Sequence, residues 1–191
     1  LGGWDGSAGF SDAAASAGSR RVFAQSCADL ISAHALDGVD LDWEYPCVPS
    51  NNSAVSRDDK HNFTLFCAKI REKLDALGGR KHYLTIAAGG DLYYVHCVEL
   101  PELMKYLDYI NVMTYDLKCG FHALAGHHTA LYSNVGDVFM NSCAQALELF
   151  EKYGVSADRL LMGAAFYSRK WEDLKDNENH GLLELCPKGG G

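Results

Sequence analysis

Four short apolar runs, at residues 38–43, 83–88, 108–114 and 159–166, are separated by longer stretches patterned like amphipathic helices. That alternation constrains the fold more than any other feature of the chain. Each run is rich in Val, Ile, Leu or aromatic residues and short enough for a buried strand. Between them three sets recur at spacings of three and four: Phe23, Cys27, Leu30 and His34; then Phe63, Cys67, Ile70, Leu74 and Leu77; then Phe139, Cys143, Ala146, Leu147 and Phe150. Each set predicts one buried helix face. Ser56 followed by Asp59 reads as a helix start, and Gly78-Gly79 and Gly154 as stops. Strands alternating with such helices make β/α crossover units, hence a parallel sheet covered by helices. Residues 1–4 read as the end of one more strand, so five units are visible. A closed (β/α)8 barrel needs about 250 residues, and a chain of 191 holds part of one.

Charge narrows the partners. With 17 Lys+Arg against 25 Asp+Glu, a net charge of -8 and no basic run, the chain has no footprint for nucleic acid or an anionic membrane surface. The longest stretch free of polar side chains, residues 160–167, is too short to span a bilayer. Leu1-Gly2-Gly3-Trp4-Asp5 lacks the basic and apolar regions of a signal peptide and an initiator Met, and reads as the start of a processed or partial piece. Seven cysteines form no C-x-x-C pair, which argues against a zinc ribbon or a thioredoxin-type redox site. Cys27, Cys67 and Cys143 fall on apolar helix faces, and most of the seven read as reduced core residues.

The chemistry concentrates in Asp37-Gly38-Val39-Asp40-Leu41-Asp42-Trp43-Glu44-Tyr45-Pro46. In a strand, alternate side chains share a face, so Asp40, Asp42 and Glu44 project together while Val39, Leu41 and Trp43 point the other way. Desolvation and like-charge repulsion raise the pKa of at least one such acid, which keeps a carboxyl protonated for general acid work near neutral pH. Glu44 comes last, at the carboxyl end of the strand, where active sites of parallel β/α proteins lie. A solvated edge strand is the bland reading, set against Val39, Leu41 and Trp43, which are hard to leave exposed. A divalent metal site is the other rival. The order of acids lacks the central Gly and spacing of an EF-hand loop, and His122, His127 and His128 lack a ligand pattern for zinc.

Asp37-x-x-Asp40-x-Asp42-x-Glu44 resembles the D-x-x-D-x-D-x-E signature of glycoside hydrolase family 18, the chitinases and their relatives. The resemblance runs through nearly the whole chain. Leu1-Gly2-Gly3-Trp4 is similar to the third-strand S-x-G-G motif without its Ser, and the segment from Tyr83 resembles the fifth strand. Met113-Thr114-Tyr115-Asp116 is similar to the sixth-strand M-x-Y-D motif, Gly126-His127 with Leu131-Tyr132 to its following loop, and the segment from Gly163 through Arg169 to the seventh strand.

The resemblance implies a partial (β/α)8 TIM barrel covering about strands 3 to 7 over residues 1–169, with residues 170–191 beginning a small α+β insertion. It implies hydrolysis of β-1,4 bonds in chitin or related N-acetylglucosamine polymers, extracellularly and without a cofactor or metal, by a substrate-assisted retaining mechanism. In that scheme Glu44 protonates the glycosidic oxygen, the substrate's own acetamido carbonyl attacks the anomeric carbon, Asp42 orients the acetamido N–H, and Asp40 tunes Asp42. Tyr115 hydrogen-bonds the acetamido carbonyl, Met113 floors the pocket, and Asp116, Tyr167 and Arg169 grip the sugar. Trp4 stacks on a sugar ring, and Phe121 stands near where many relatives carry Trp. The family's first two strands and its eighth, with a Trp beneath the cleavage-point sugar, have no counterpart here. A catalytically silent, lectin-like chitin binder and a peptidoglycan- or N-glycan-directed enzyme are the alternatives; loss of the acid Glu usually marks the former, and Glu44 is present. Asn51-Asn52-Ser53 and Asn62-Phe63-Thr64 are glycosylation sequons by pattern. The sequence leaves oligomeric state open.

Overall fold

The computed structural model describes residues 1–49, 54–137, 139–176, 178–186, 188 and 191, so the first sequon lies outside the described residues. In chain order the elements are α1 (Phe10–Ala15), α2 (Ala17–His34), β1 (Gly38–Leu41), α3 (Asp59–Ala76), β2 (Tyr83–Gly89), α4 (Leu92–Cys97), α5 (Leu100–Leu103), β3 (Tyr109–Met113), α6 (Cys143–Lys152) and β4 (Leu160–Met162). The four strands form one parallel sheet in the order β1-β2-β3-β4. Its register sets Leu41 beside Ile86, Ile86 beside Ile110 and Ile110 beside Leu160. Leu41, Ile86 and Ile110 are fully buried in one core with Phe63, Phe66, Ile70 and Leu74 of α3 and Ala24, Cys27 and Ile31 of α2. The fifth unit is present as a single parallel bridge from Gly2 to Asp42. Asp42 N donates to Leu1 O, and Gly3 N to Asp42 O, both at 2.8 Å. Gly2, at φ +109°, tolerates this approach because a Cβ there would stand 2.1 Å from Asp42 O.

Several expected boundaries shift. β1 stops at Leu41 rather than Trp43, since its pairing to β2 ends at Leu41 with Ile86 and Asp42 keeps only the Gly2 bridge. β4 holds three residues of the eight expected, and Phe166 is fully exposed. Leu161 and Met162 of β4 are 45% and 51% exposed, so the sheet is an open arc among the described residues. On α2 the buried stripe is Ala24, Cys27, Ala28 and Ile31; Leu30 and His34, expected on it, face out. The small alanines carry that face, and a pattern read from large residues is rotated off it. Helix α6 starts at Cys143, not Phe139, because Ser142 accepts from Gln145 N at 3.2 Å and caps it. At the start of α3, Asp59 is fully buried; it accepts from Ser11 Oγ at 2.7 Å, Ser56 N at 2.8 Å and Cys47 N at 3.3 Å. One carboxylate therefore ties α1 and the loop after β1 to α3. The second sequon falls within α3, where Thr64 is buried and donates to Glu99.

After β4 the chain folds back on the long loop that follows β3. Leu124 and Leu185 form an antiparallel bridge, Cys186 N donates to Ala123 O at 2.7 Å, and Trp171 Nε1 donates to Gly126 O at 3.0 Å.

Candidate functional site

Along β1 the inward file begins with Asp40, whose Oδ1 accepts from Thr85 Oγ1 of β2 at 2.5 Å and from Asn111 Nδ2 of β3 at 2.9 Å. The outward file of Val39, Leu41 and Trp43 is buried, and Trp43 stacks on Phe10 with 5.5 Å between ring centroids. Beyond Asp40, Asp42 has a buried Oδ1 without a hydrogen-bond partner among the described residues. Burial, then the Asp40 carboxylate, push its pKa up. Glu44 follows at the strand's carboxyl end, 9% exposed, and burial again raises its carboxyl. A hydrogen bond from Tyr45 opposes that rise, while the charges of Asp42 and Asp116 add to it. Three acids in file thus leave the last one inclined to hold its proton.

The backbone at Glu44 is fixed by a residue that spacing could not single out. Ser7, 1% exposed, accepts from Glu44 N at 2.9 Å, and its own proton is shared between Gly3 O at 2.8 Å and Asp42 O at 3.1 Å. Tyr45 was also missed; its ring packs edge-on against Tyr94 with centroids 6.1 Å apart. A Gly-rich turn and an aromatic after an acid carry no pattern of their own.

Met113 ends β3, and Tyr115 and Asp116 come from the loop that follows it. Burial and then the carboxylates of Asp42, Glu44, Asp116 and Asp40 raise the Tyr115 phenol, so it is a neutral donor. Gly163 leaves room for that ring, since a Cβ there would lie 2.9 Å from Tyr115 Cε1. Asp116 accepts from Tyr167 OH at 2.7 Å and from Arg169 Nε at 2.7 Å, with His128 Nδ1 3.6 Å away. Burial alone would raise Asp116; the Arg169 and Tyr167 hydrogen bonds outweigh it and hold the carboxylate below its ordinary value. Burial, then the bond to Asp116, push the Tyr167 phenol up to about 12.

These groups surround a cleft of about 990 Å³ lined by Trp4, Glu44, Met113, Tyr115, Phe121 and Arg169 among others. Asp116 also lines it; Asp40, Asp42 and Tyr167 are not among its lining residues, and Tyr167 meets it through its bond to Asp116. At the rim, Trp4 and Phe121 are exposed and 6.2 Å apart at a 42° tilt, which presents apolar ring faces to solvent. The three histidines have different surroundings: His122 accepts from Cys119 N at 3.0 Å, His128 lies by Asp116, and His127 is exposed. No group of three or more His, Cys, Asp or Glu among the described residues is arranged to hold a metal. No helix among them is long and apolar enough to cross a membrane.

The family model for glycosyl hydrolases family 18 matches residues 1–189. The chain belongs to glycosyl hydrolase family 18. It is 38% identical over 200 residues to Chitinase A1 of Niallia circulans, across 99% of this chain and 28% of that protein. Among solved structures it is similar to a family 18 N-acetylglucosaminidase from Paenibacillus barengoltzii, at 46% identity and a TM-score of 0.96, covering 100% of this chain and 56% of that one. It is also similar to the Group IV chitinase of Ostrinia furnacalis solved in complex with allosamidin, at 28% identity and a TM-score of 0.87, covering 51% of that chain. The open arc is therefore part of the (β/α)8 barrel of family 18, and this chain spans about half or less of these relatives.

The coupling along the acid file is testable without substrate. In an Asp42→Asn variant of the natural full-length protein, one charge that raises Glu44 is gone, so Glu44 should ionise at lower pH. A carbon NMR titration of the Glu44 carboxyl checks this. An unchanged or higher titration would contradict the coupling.

Proposed function

We propose that the protein hydrolyses β-1,4 bonds in chitin or chito-oligosaccharides with retention, using the substrate's acetamido group as nucleophile. The observation that carries this reading is the buried Oδ1 of Asp42 next to Glu44, without a hydrogen-bond partner among the described residues. It offers an acceptor where an acetamido N–H would need one. Glu44, its carboxyl raised by burial and its acidic neighbours, donates to the glycosidic oxygen and later takes a proton from water. Asp42 strengthens its bond to the acetamido N–H as positive charge builds on the oxazolinium-like intermediate, and Asp40 acts on Asp42 from behind. Tyr115 donates to the acetamido carbonyl oxygen and turns it toward the anomeric carbon. Met113 forms the pocket floor, Asp116 with Tyr167 and Arg169 holds sugar hydroxyls, and Trp4 and Phe121 stack on sugar rings. The names of the relatives, chitinases and an N-acetylglucosaminidase, support this substrate class. Residues 1–169 are assigned to the barrel and 170–191 to the beginning of the small insertion; action is extracellular.

Incubated with chito-oligosaccharides, the natural full-length protein should release shorter oligomers at the same rate before and after exhaustive EDTA treatment. Tight binding without cleavage would favour the lectin-like reading. Activity lost to EDTA and restored by Mg2+, Ca2+ or Zn2+ would favour a metal site.

A further inference from the structure

Five of the seven cysteines are buried, while Cys47 and Cys97 are only partly so. Those two meet, although 50 residues separate them in sequence. Cys47 Sγ lies 3.9 Å from Cys97 O and 3.9 Å from Arg57 O, and the Cys97 side chain is near enough to help push the Cys47 thiol up. Cys47 sits in the loop three residues after Glu44, and Cys97 is the last residue of α4. Cys47 N also donates to Asp59 at 3.3 Å. Elsewhere Cys119 Sγ stands 3.6 Å from His122 Nδ1, and Cys143 Sγ donates to Thr114 O at 3.4 Å, so these sulfurs are committed to other partners.

We propose that Cys47 and Cys97 form a cross-linking site, at which a disulfide ties the loop that follows Glu44 to the end of α4. The inference is independent of the proposed activity. The oxidant is a low-molecular-weight disulfide such as glutathione disulfide. One cysteine thiolate attacks a glutathione sulfur and expels a glutathione thiolate; the second cysteine thiolate then attacks the mixed disulfide and expels the other. Two cysteine S–H bonds and one glutathione S–S bond are lost, and one protein S–S bond and two glutathione S–H bonds are made. The cysteines give up two electrons and glutathione takes them. Burial pushes the Cys47 thiol up to about 11, so thiolate is scarce at neutral pH and the exchange runs faster in mild alkali. Closing so long a loop restrains the unfolded chain, and the oxidised protein should melt higher than the reduced one.

The test uses the natural full-length protein, treated with glutathione disulfide at mildly alkaline pH, alkylated, and digested with trypsin and Glu-C. Cleavage after Glu44, Arg57, Lys81 and Glu99 leaves Cys47 in peptide 45–57 and Cys97 in peptide 82–99, with Cys27 elsewhere. The expected result is a reduction-sensitive species joining those two peptides. It should be absent from Cys47→Ser and from Cys97→Ala, and oxidation should raise Tm by several degrees in the unchanged protein but in neither variant. Recovery of both peptides as separate alkylated or glutathione-bearing species, or of either cysteine paired to another, would overturn the proposal.

Discussion

Changing Glu44→Gln in the natural full-length protein should lower kcat for chito-oligosaccharides by about 10²- to 10⁴-fold, the usual contribution of a positioned general acid. That loss corresponds to about 3 to 5 kcal/mol of transition-state stabilisation. Gln fills the same volume at the end of the β1 file and still accepts from Tyr45, and its backbone N–H keeps the bond to Ser7. What it lacks is the proton that the leaving oxygen needs. The dissociation constant for a chito-oligosaccharide should therefore change little, because Trp4, Phe121, Asp116 and Arg169 are untouched. Steady-state rates with a binding titration on the same variant separate the two effects. Near-normal turnover would remove Glu44 as proton donor, and loss of binding together with turnover would assign it to substrate holding.

The parts of this arrangement legible in sequence are those with a period. The inward file Asp40, Asp42 and Glu44 follows from strand alternation, and Trp43 opposite it is in the core as that alternation requires. The parallel sheet follows from β/α alternation, and even the single bridge at Gly2 continues it. Short elements escaped: α4 and α5, of six and four residues, are too brief to repeat a helical face, and α5 opens on Leu100-Pro101. The face of α2 was misjudged because Ala24 and Ala28 weigh little in an apolar pattern, though small side chains let helices pack closely. Ser7 escaped for another reason, as did the ties that Asp59, read as part of a helix start, makes to α1 and the loop after β1. Each does its work by hydrogen bonds to residues 35 to 48 positions distant or to nearby main chain, which no local spacing records. The pairing of Asp116 with Tyr167 and Arg169 spans 51 and 53 residues, and in the sequence only the resemblance to family 18 groups them.

The claim on which the account turns is that the substrate supplies its own nucleophile, and a matched pair of substrates tests it. In the proposed arrangement Asp42 accepts from the acetamido N–H and Tyr115 donates to its carbonyl, so neither has a partner when that group is replaced by hydroxyl. Nothing then attacks the anomeric carbon, since Asp40 is bound by Thr85 and Asn111, and Asp116 by Tyr167 and Arg169. Measured under the same conditions, kcat/KM for the 2-hydroxy analogue of a chito-oligosaccharide should fall below that of the N-acetyl compound by at least about 10⁴-fold, the scale of a lost intramolecular nucleophile. Comparable rates for the two substrates would contradict the account and return the search for a nucleophile to Asp40, Asp42 and Asp116.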